Sequence, residues 1–181
     1  MRGLVALGLF QSKDEINRSP KQTYGEVRPG DIRYKDVNAD GKIDDDDIVP
    51  IAHSNVPQIQ YGFALEYRYK RWTISALFTG AAKVNFLYGG SGFYPFSGGE
   101  VGNVLSIVND PKNRWTPAWY SGDPSTENPN ARFPRLTYGT NQNNNRASTF
   151  WLADGSYLRW KSLDISYRIG ATKVLRTVGI S

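Results

Sequence analysis

Residues 57–82 alternate between two kinds of side chain. Ile59, Tyr61, Phe63, Leu65, Tyr67 and Tyr69 are interleaved with Gln60, Gly62, Ala64, Glu66, Arg68 and Lys70. An extended strand points successive side chains to opposite faces, so this order gives one apolar, aromatic face and one small or charged face. A helix would scatter the same residues around its circumference. After Lys70-Arg71 the pattern resumes, with Trp72, Ile74, Ala76 and Phe78 set against Thr73, Ser75 and Thr79 and only Leu77 out of step. Two long antiparallel strands joined by a tight turn at Lys70-Arg71 are therefore predicted. A third run follows late in the chain, where Leu163, Ile165, Tyr167 and Ile169 alternate with Asp164, Ser166 and Arg168. Leu158 and Trp160 have the opposite phase, so a strand through residues 149–169 requires a bulge near Ser162.

Between these strands lies a different kind of sequence. Residues 83–147 are rich in glycine, asparagine and proline, and only 101–108 suggest a short helix. A stretch this long without periodicity is uncommon inside a compact soluble domain and common in functional surface loops. Alternating strands, one short turn and one very long loop fit a transmembrane β-barrel better than a soluble sandwich. The expected fold is all-β, with antiparallel strands forming part of a transmembrane barrel. Short barrel turns face the periplasm, which orients the chain. Residues 1–56 form an extracellular connection, 57–82 a barrel hairpin, 83–147 a long extracellular loop, and 148–181 a barrel strand with a periplasmic turn. A soluble antiparallel sandwich with one tyrosine-rich core face also satisfies the periodicity.

Composition removes several classes. The 181 residues contain no cysteine and one histidine, His53, so no thiolate site and no histidine-based zinc site can be built from this chain. Nothing supports a catalytic triad, and no enzyme is expected. The net charge of +5 comes from scattered basic residues without a run suited to nucleic acid. No stretch reaches the roughly 18 apolar residues of a membrane helix. The apolar run from Gly3 to Phe10 lacks a small-residue cleavage site and reads as a strand or the start of a loop.

Residues 36–47 carry the most specific chemical signal. Oxygen-bearing side chains occupy loop positions 1, 3, 5, 9 and 12, with glycine at 6 and isoleucine at 8, the spacing of a calcium-wrapping loop. The expected ligands to a structural Ca2+ are Asp36, Asn38, Asp40, the Lys42 carbonyl, Asp44 through a water, and Asp47. Aspartate at position 12, where glutamate is usual, shortens the reach and lowers the expected affinity. Glycines and prolines on both flanks oppose the helices of an EF-hand. A solvated acidic turn is the plainer reading. In the long loop, Trp115, Trp119 and Tyr120 are candidates for stacking on a substrate sugar, against the alternative that they pack the loop. Tyr69 and Trp72 suit an interfacial girdle, while Glu66, Arg68, Lys70 and Arg159 suit the lumen.

Several segments together resemble a known family. They are residues 10–16 (FQSKDEI), 29–44 (PGDIRYKDVNADGKID), 113–117 (NRWTP), 131–136 (ARFPRL) and 150–161 (FWLADGSYLRWK). The chain resembles the late-barrel region of SusC/RagA-type TonB-linked outer-membrane proteins of Bacteroidota over nearly its whole length. The resemblance implies a 22-stranded barrel with an N-terminal plug in a Gram-negative outer membrane. It implies import of oligosaccharides or peptides, powered by the TonB complex through the plug and capped by a SusD-like lipoprotein. The chain holds no plug and few strands, so it reads as a fragment that cannot close a barrel or transport alone. Two other classes remain compatible with the residues. One is a soluble calcium-stabilised carbohydrate-binding β module; the other is a dockerin-like adaptor, which normally needs a second calcium loop and a helical body.

Overall fold

The computed structural model describes residues 1–90, 92–96 and 104–169. Strands dominate these residues, three short α-helices accompany them, and no closed barrel occurs among them. The chain divides into two compact units, Met1–His53 with Asn85–Asp154, and Ser54–Val84 with the described part of Gly155–Ser181. The expected turn beyond residue 169 lies outside the described residues, as do 101–103 of the expected helix.

The first unit is held together by short pairings. Strands β1 (Arg2–Gly3) and β2 (Ala6–Leu9) pair antiparallel with β6 (Val49–Pro50) and β4 (Ile32–Tyr34), respectively. Strand β3 (Lys21–Gln22) runs parallel to β5 (Lys42–Ile43), and β9 (Asn85–Leu87) pairs antiparallel with β10 (Leu152–Asp154). Helix α1 (Lys13–Arg18) starts where Ser12 caps the Glu15 amide, and Glu15 turns back to accept from the Gln11 amide. Helices α2 (Ser106–Asn109) and α3 (Ala118–Ser121) are single turns. No pairing here is long enough to be stable by its ladder alone, so side chains must hold the unit. They do so from both sequence segments: Leu4, Ile32, Tyr34 and Ile43 pack in one core with Val108, Phe133 and Trp151.

The second unit is a three-stranded antiparallel sheet in the order β7 (Ile59–Tyr69), β8 (Trp72–Ala82), β11 (Tyr157–Tyr167), each strand 11 residues long. The expected hairpin is present, with Tyr69 opposite Trp72 and Lys70 at φ 54°, the positive value a two-residue hairpin turn requires. The expected bulge is present as well. The register shifts between Trp160 and Ser162, and the Trp160 indole donates to the Ser162 carbonyl at 2.8 Å. The shift reverses the phase at the point where the sequence does. Leu158 and Trp160 align with Gly80 and Phe78, and Leu163, Ile165 and Tyr167 align with Ala76, Ile74 and Trp72, all on one face. Without the bulge, half of β11 would point its apolar residues the wrong way. Gly80 leaves room for a cross-strand lock. The Tyr61 ring lies where a Gly80 Cβ would be, 2.3 Å away, and its hydroxyl donates to the Tyr157 carbonyl at 3.1 Å.

Candidate functional site

The acidic loop is closed by its own backbone. Asp36 accepts from the amides of Ala39 (2.6 Å) and Gly41 (2.8 Å), Asn38 from Asp40 (3.1 Å), and Asp40 from Lys42 (2.9 Å). Asp44 caps a 3-10 turn at Asp45–Asp47, and Asp47, fully buried, accepts from Val37 (2.6 Å) and Asp44 (3.0 Å). Ala39 at φ 61° and Gly41 at φ 83° make the sharp turn. Strands β4 and β6 flank the loop rather than helices. The donor chemistry suits a hard cation: the oxygens of Asp36 and Asp40 accept at most one amide each and keep a second lone pair, whereas Asp47 Oδ1 accepts from both Val37 and Asn38. The geometry does not yet converge: among the described residues no three histidine, aspartate or glutamate side chains gather as a metal-binding group. Calcium would have to draw the oxygens of Asp36, Asp40 and Asp44 toward one point.

The loop is tied to the asparagine-rich stretch through Tyr24. Its hydroxyl donates to Asp45 at 3.1 Å, and Arg146 lies 3.8 Å over the ring while pairing with Asp45 at 3.7 Å. Burial, reinforced by the Asp45 hydrogen bond, pushes the Tyr24 hydroxyl well above the ordinary tyrosine range, so it remains a donor.

The three aromatic candidates separate. Trp115 is only 5 % exposed; its ring packs against Gly30, where a Cβ would come within 2.3 Å, and its indole donates to Gln11 at 3.2 Å. Gly30 sits at φ 89°, so the Pro29-Gly30 step serves both backbone conformation and close approach. Trp119 is 84 % exposed and Tyr120 is also open, their rings in edge contact at 5.9 Å. Both ride on α3, which is fixed at its start by Glu127 accepting the Ala118 amide (2.7 Å) and at its end by left-handed Gly122.

Two clefts open around these residues. One, of about 450 Å³, is walled by Trp115, Pro117, Trp119, Tyr120 and Leu136. The other, of about 550 Å³, is lined by Thr23, Thr137, Thr140, Asn141 and Gln142. Arg28 and Arg135 line both. Arg28 forms a two-point pair with Glu26 (Nε 2.9 Å, Nη2 3.0 Å), which holds the Glu26 carboxyl below its ordinary range. Arg135 pairs with Asp31, Nη2 donating at 3.1 Å.

Asp31 was not among the residues the sequence singled out, yet it is the polar centre of this unit. Fully buried, it accepts from the Arg28 amide (2.8 Å), Asn141 (3.1 Å), Asn144 (2.8 Å) and Arg135. Asn143 and Asn144 are buried too. Asn144 accepts the Ile32 amide at 2.9 Å, and Asn143 donates to the Ile32 carbonyl at 3.0 Å. Gln22 accepts the Tyr34 amide at 2.7 Å, so side chains satisfy the open edge of β4.

The sheet of the second unit offers a different surface. Phe63, Leu65, Tyr67, Ile74, Trp160 and Ile165 share one exposed face, with Phe63, Phe78 and Trp160 stacked across the strands at 5.0 and 6.3 Å. Tyr69, Trp72 and Tyr167 form an aromatic row beside the turn, Trp72 and Tyr167 meeting at 4.8 Å. Glu66, Arg68 and Arg159 lie on the opposite face with Ser75 and Asp164. No protein-family model matches the chain, and no curated protein matches it.

Proposed function

We propose that this chain is a segment of the barrel of a TonB-dependent outer-membrane importer of the SusC/RagA type, one that takes up glycans or peptides with a SusD-like lipoprotein in a Gram-negative bacterium. One observation carries the reading: three 11-residue strands, adjacent in one antiparallel sheet, share an exposed face of large apolar and aromatic residues. A membrane strand needs about 9–11 residues, one lipid-compatible face and aromatic residues near the interface. In this role the tyrosine, phenylalanine and leucine face meets acyl chains, and the face bearing Glu66, Arg68 and Arg159 lines the lumen. The unpaired sides of β7 and β11 join further strands, because lipid cannot satisfy open backbone groups. These three strands alone are not transport-competent, and energy from TonB enters through a plug elsewhere in the importer. The acidic loop lies outside, where calcium stiffens it as a structural ion.

The test is solution behaviour. In sedimentation experiments the purified chain is expected to be monodisperse in detergent and to associate without it. A monomer stable in plain buffer would favour instead the soluble calcium-stabilised carbohydrate-binding module, a reading the independent core and clefts of the first unit support.

A further inference from the structure

We propose that the turn end of the β7–β8–β11 sheet is a headgroup site for an anionic glycerophospholipid, with Lys70 and Arg71 holding its phosphodiester and the Tyr69, Trp72 and Tyr167 row seating its ester region. The inference deepens the importer reading and rests on it for the membrane that supplies the lipid.

Three cations gather where the sheet turns. Lys70 and Arg71 form the two-residue turn, and the Arg168 amide donates to the Arg71 carbonyl at 2.8 Å, which sets the end of β11 beside them. All three are exposed, and none forms an ion pair among the described residues. Glu66 and Asp164 are the only carboxylates in the three strands. Both lie opposite Ser75, three rows in from Trp72, and Glu66 is already paired with Arg68. At about 3.3 Å per residue that is roughly 10 Å along the strands, about one Debye length. By alternation Lys70 would follow Glu66 and Arg68 on the polar face. The left-handed backbone at Lys70, φ 54°, breaks that order, and its ammonium lies 5.2 Å from the centre of the Tyr69 ring. Glycine or asparagine enters this conformation more easily, so a long cation is held here at a cost.

A phosphodiester fits what this end offers. Its oxygens only accept, and ammonium and guanidinium groups only donate. Lysine and arginine stems can lie along apolar surface while their charges reach out of it, and tyrosine and tryptophan rings favour the ester depth of a bilayer. Acyl chains continue over the next row, Tyr67, Ile74 and Ile165, all exposed. A zwitterionic lipid brings its own cation beside the phosphate, which the three here repel. Free phosphate has no chains to seat, and exposed cations alone hold it weakly.

Native mass spectrometry of the purified chain, released from a neutral detergent, tests this. The probes are phosphatidylglycerol, phosphatidylcholine with the same acyl chains, and inorganic phosphate. Phosphatidylglycerol should be retained about fivefold or more tightly than phosphatidylcholine. Lys70→Gly, which suits the positive φ, and Arg71→Gln should each weaken phosphatidylglycerol by about fivefold and leave phosphatidylcholine unchanged. Lys70→Arg should keep the preference, as should Lys35→Gln, which removes an exposed cation of the first unit. Equal retention of the two lipids overturns the proposal. So does a preference that survives both Lys70→Gly and Arg71→Gln, or displacement of phosphatidylglycerol by an equal concentration of inorganic phosphate. Solution behaviour separates the site from the reading beneath it. A chain that associates without detergent yet retains both lipids equally overturns the site alone. One that is monomeric in plain buffer and retains neither lipid overturns the importer as well.

Discussion

Trp151 and Trp160 lie close in the sequence and meet opposite environments. Trp151 is 3 % exposed, donates its indole N–H to the Asn144 carbonyl at 2.7 Å, and packs among Phe93, Phe133 and Phe150. Trp160 is 58 % exposed on a sheet face with Phe78 beside it. The difference separates the two units. The first packs Tyr34, Trp115, Phe133 and Trp151 into an internal core and satisfies its irregular backbone with buried asparagine, glutamine and aspartate side chains. The second satisfies its backbone with a regular ladder and leaves its aromatics bare. A unit of the first kind encloses a core of its own, whereas one of the second kind presents an exposed apolar face of the sort that marks an interaction surface.

The widest gap between the units should appear on deleting one ring from each. Phe133→Ala removes a fully buried ring and should cost about 3–5 kcal/mol in chemical denaturation, while Phe63→Ala should cost below about 1 kcal/mol in the absence of lipid. Equal losses would break the comparison. Asp31→Ala comes next. It strands the Arg135 guanidinium, the buried Asn144 amide and the half-buried Asn141 amide, and a loss of about 3 kcal/mol is expected, again by denaturation.

These two predictions mark what could be read from the residues. The hairpin and the bulge in β11 were legible because period two is a local signal, and a phase reversal between Trp160 and Leu163 has one simple remedy. Three strands in one sheet do not by themselves disclose a closed barrel. The buried role of Asn143 and Asn144 was not legible. An asparagine run reads as a solvated loop, and only contact with Ile32, far away in the sequence, turns Asn143 and Asn144 into core residues. Trp115 and Trp119 are alike in composition, and what distinguishes them is the space that Gly30 leaves for one of them. The acidic loop was legible as a motif, but its carboxylates fold back on backbone amides, which spacing alone does not disclose.

Smaller effects sharpen the account of the loop. Without metal, Asp40→Ala removes the acceptor for the Lys42 amide in an exposed turn and should cost about 1 kcal/mol or less in thermal unfolding. With terbium, the intact loop should give sensitised luminescence that Asp40→Ala abolishes; no signal at millimolar metal would leave the loop a hydrogen-bonded turn. Smallest of all is the pH response of the Arg28–Glu26 pair. Arg28, aided by Arg135 and Lys13, lowers the Glu26 carboxyl. The pair's contribution is therefore present above the ordinary glutamate value and fades only as pH falls through the lowered one. In thermal unfolding this pair should add no pH dependence from neutral into the mildly acidic range and only a small loss of stability below it.

The central claim is that the apolar face of the β7–β8–β11 sheet meets lipid. Because the chain has no cysteine, single cysteines can be placed cleanly. A polarity-sensitive fluorophore at 61, 63, 65 and 67 reports one face of β7, and at 60, 62, 64 and 66 the other. With vesicles containing brominated lipid, the account predicts blue-shifted emission and quenching at the odd positions alone. Emission that reports water on both faces, or an odd-face shift that is the same with and without lipid, would contradict it.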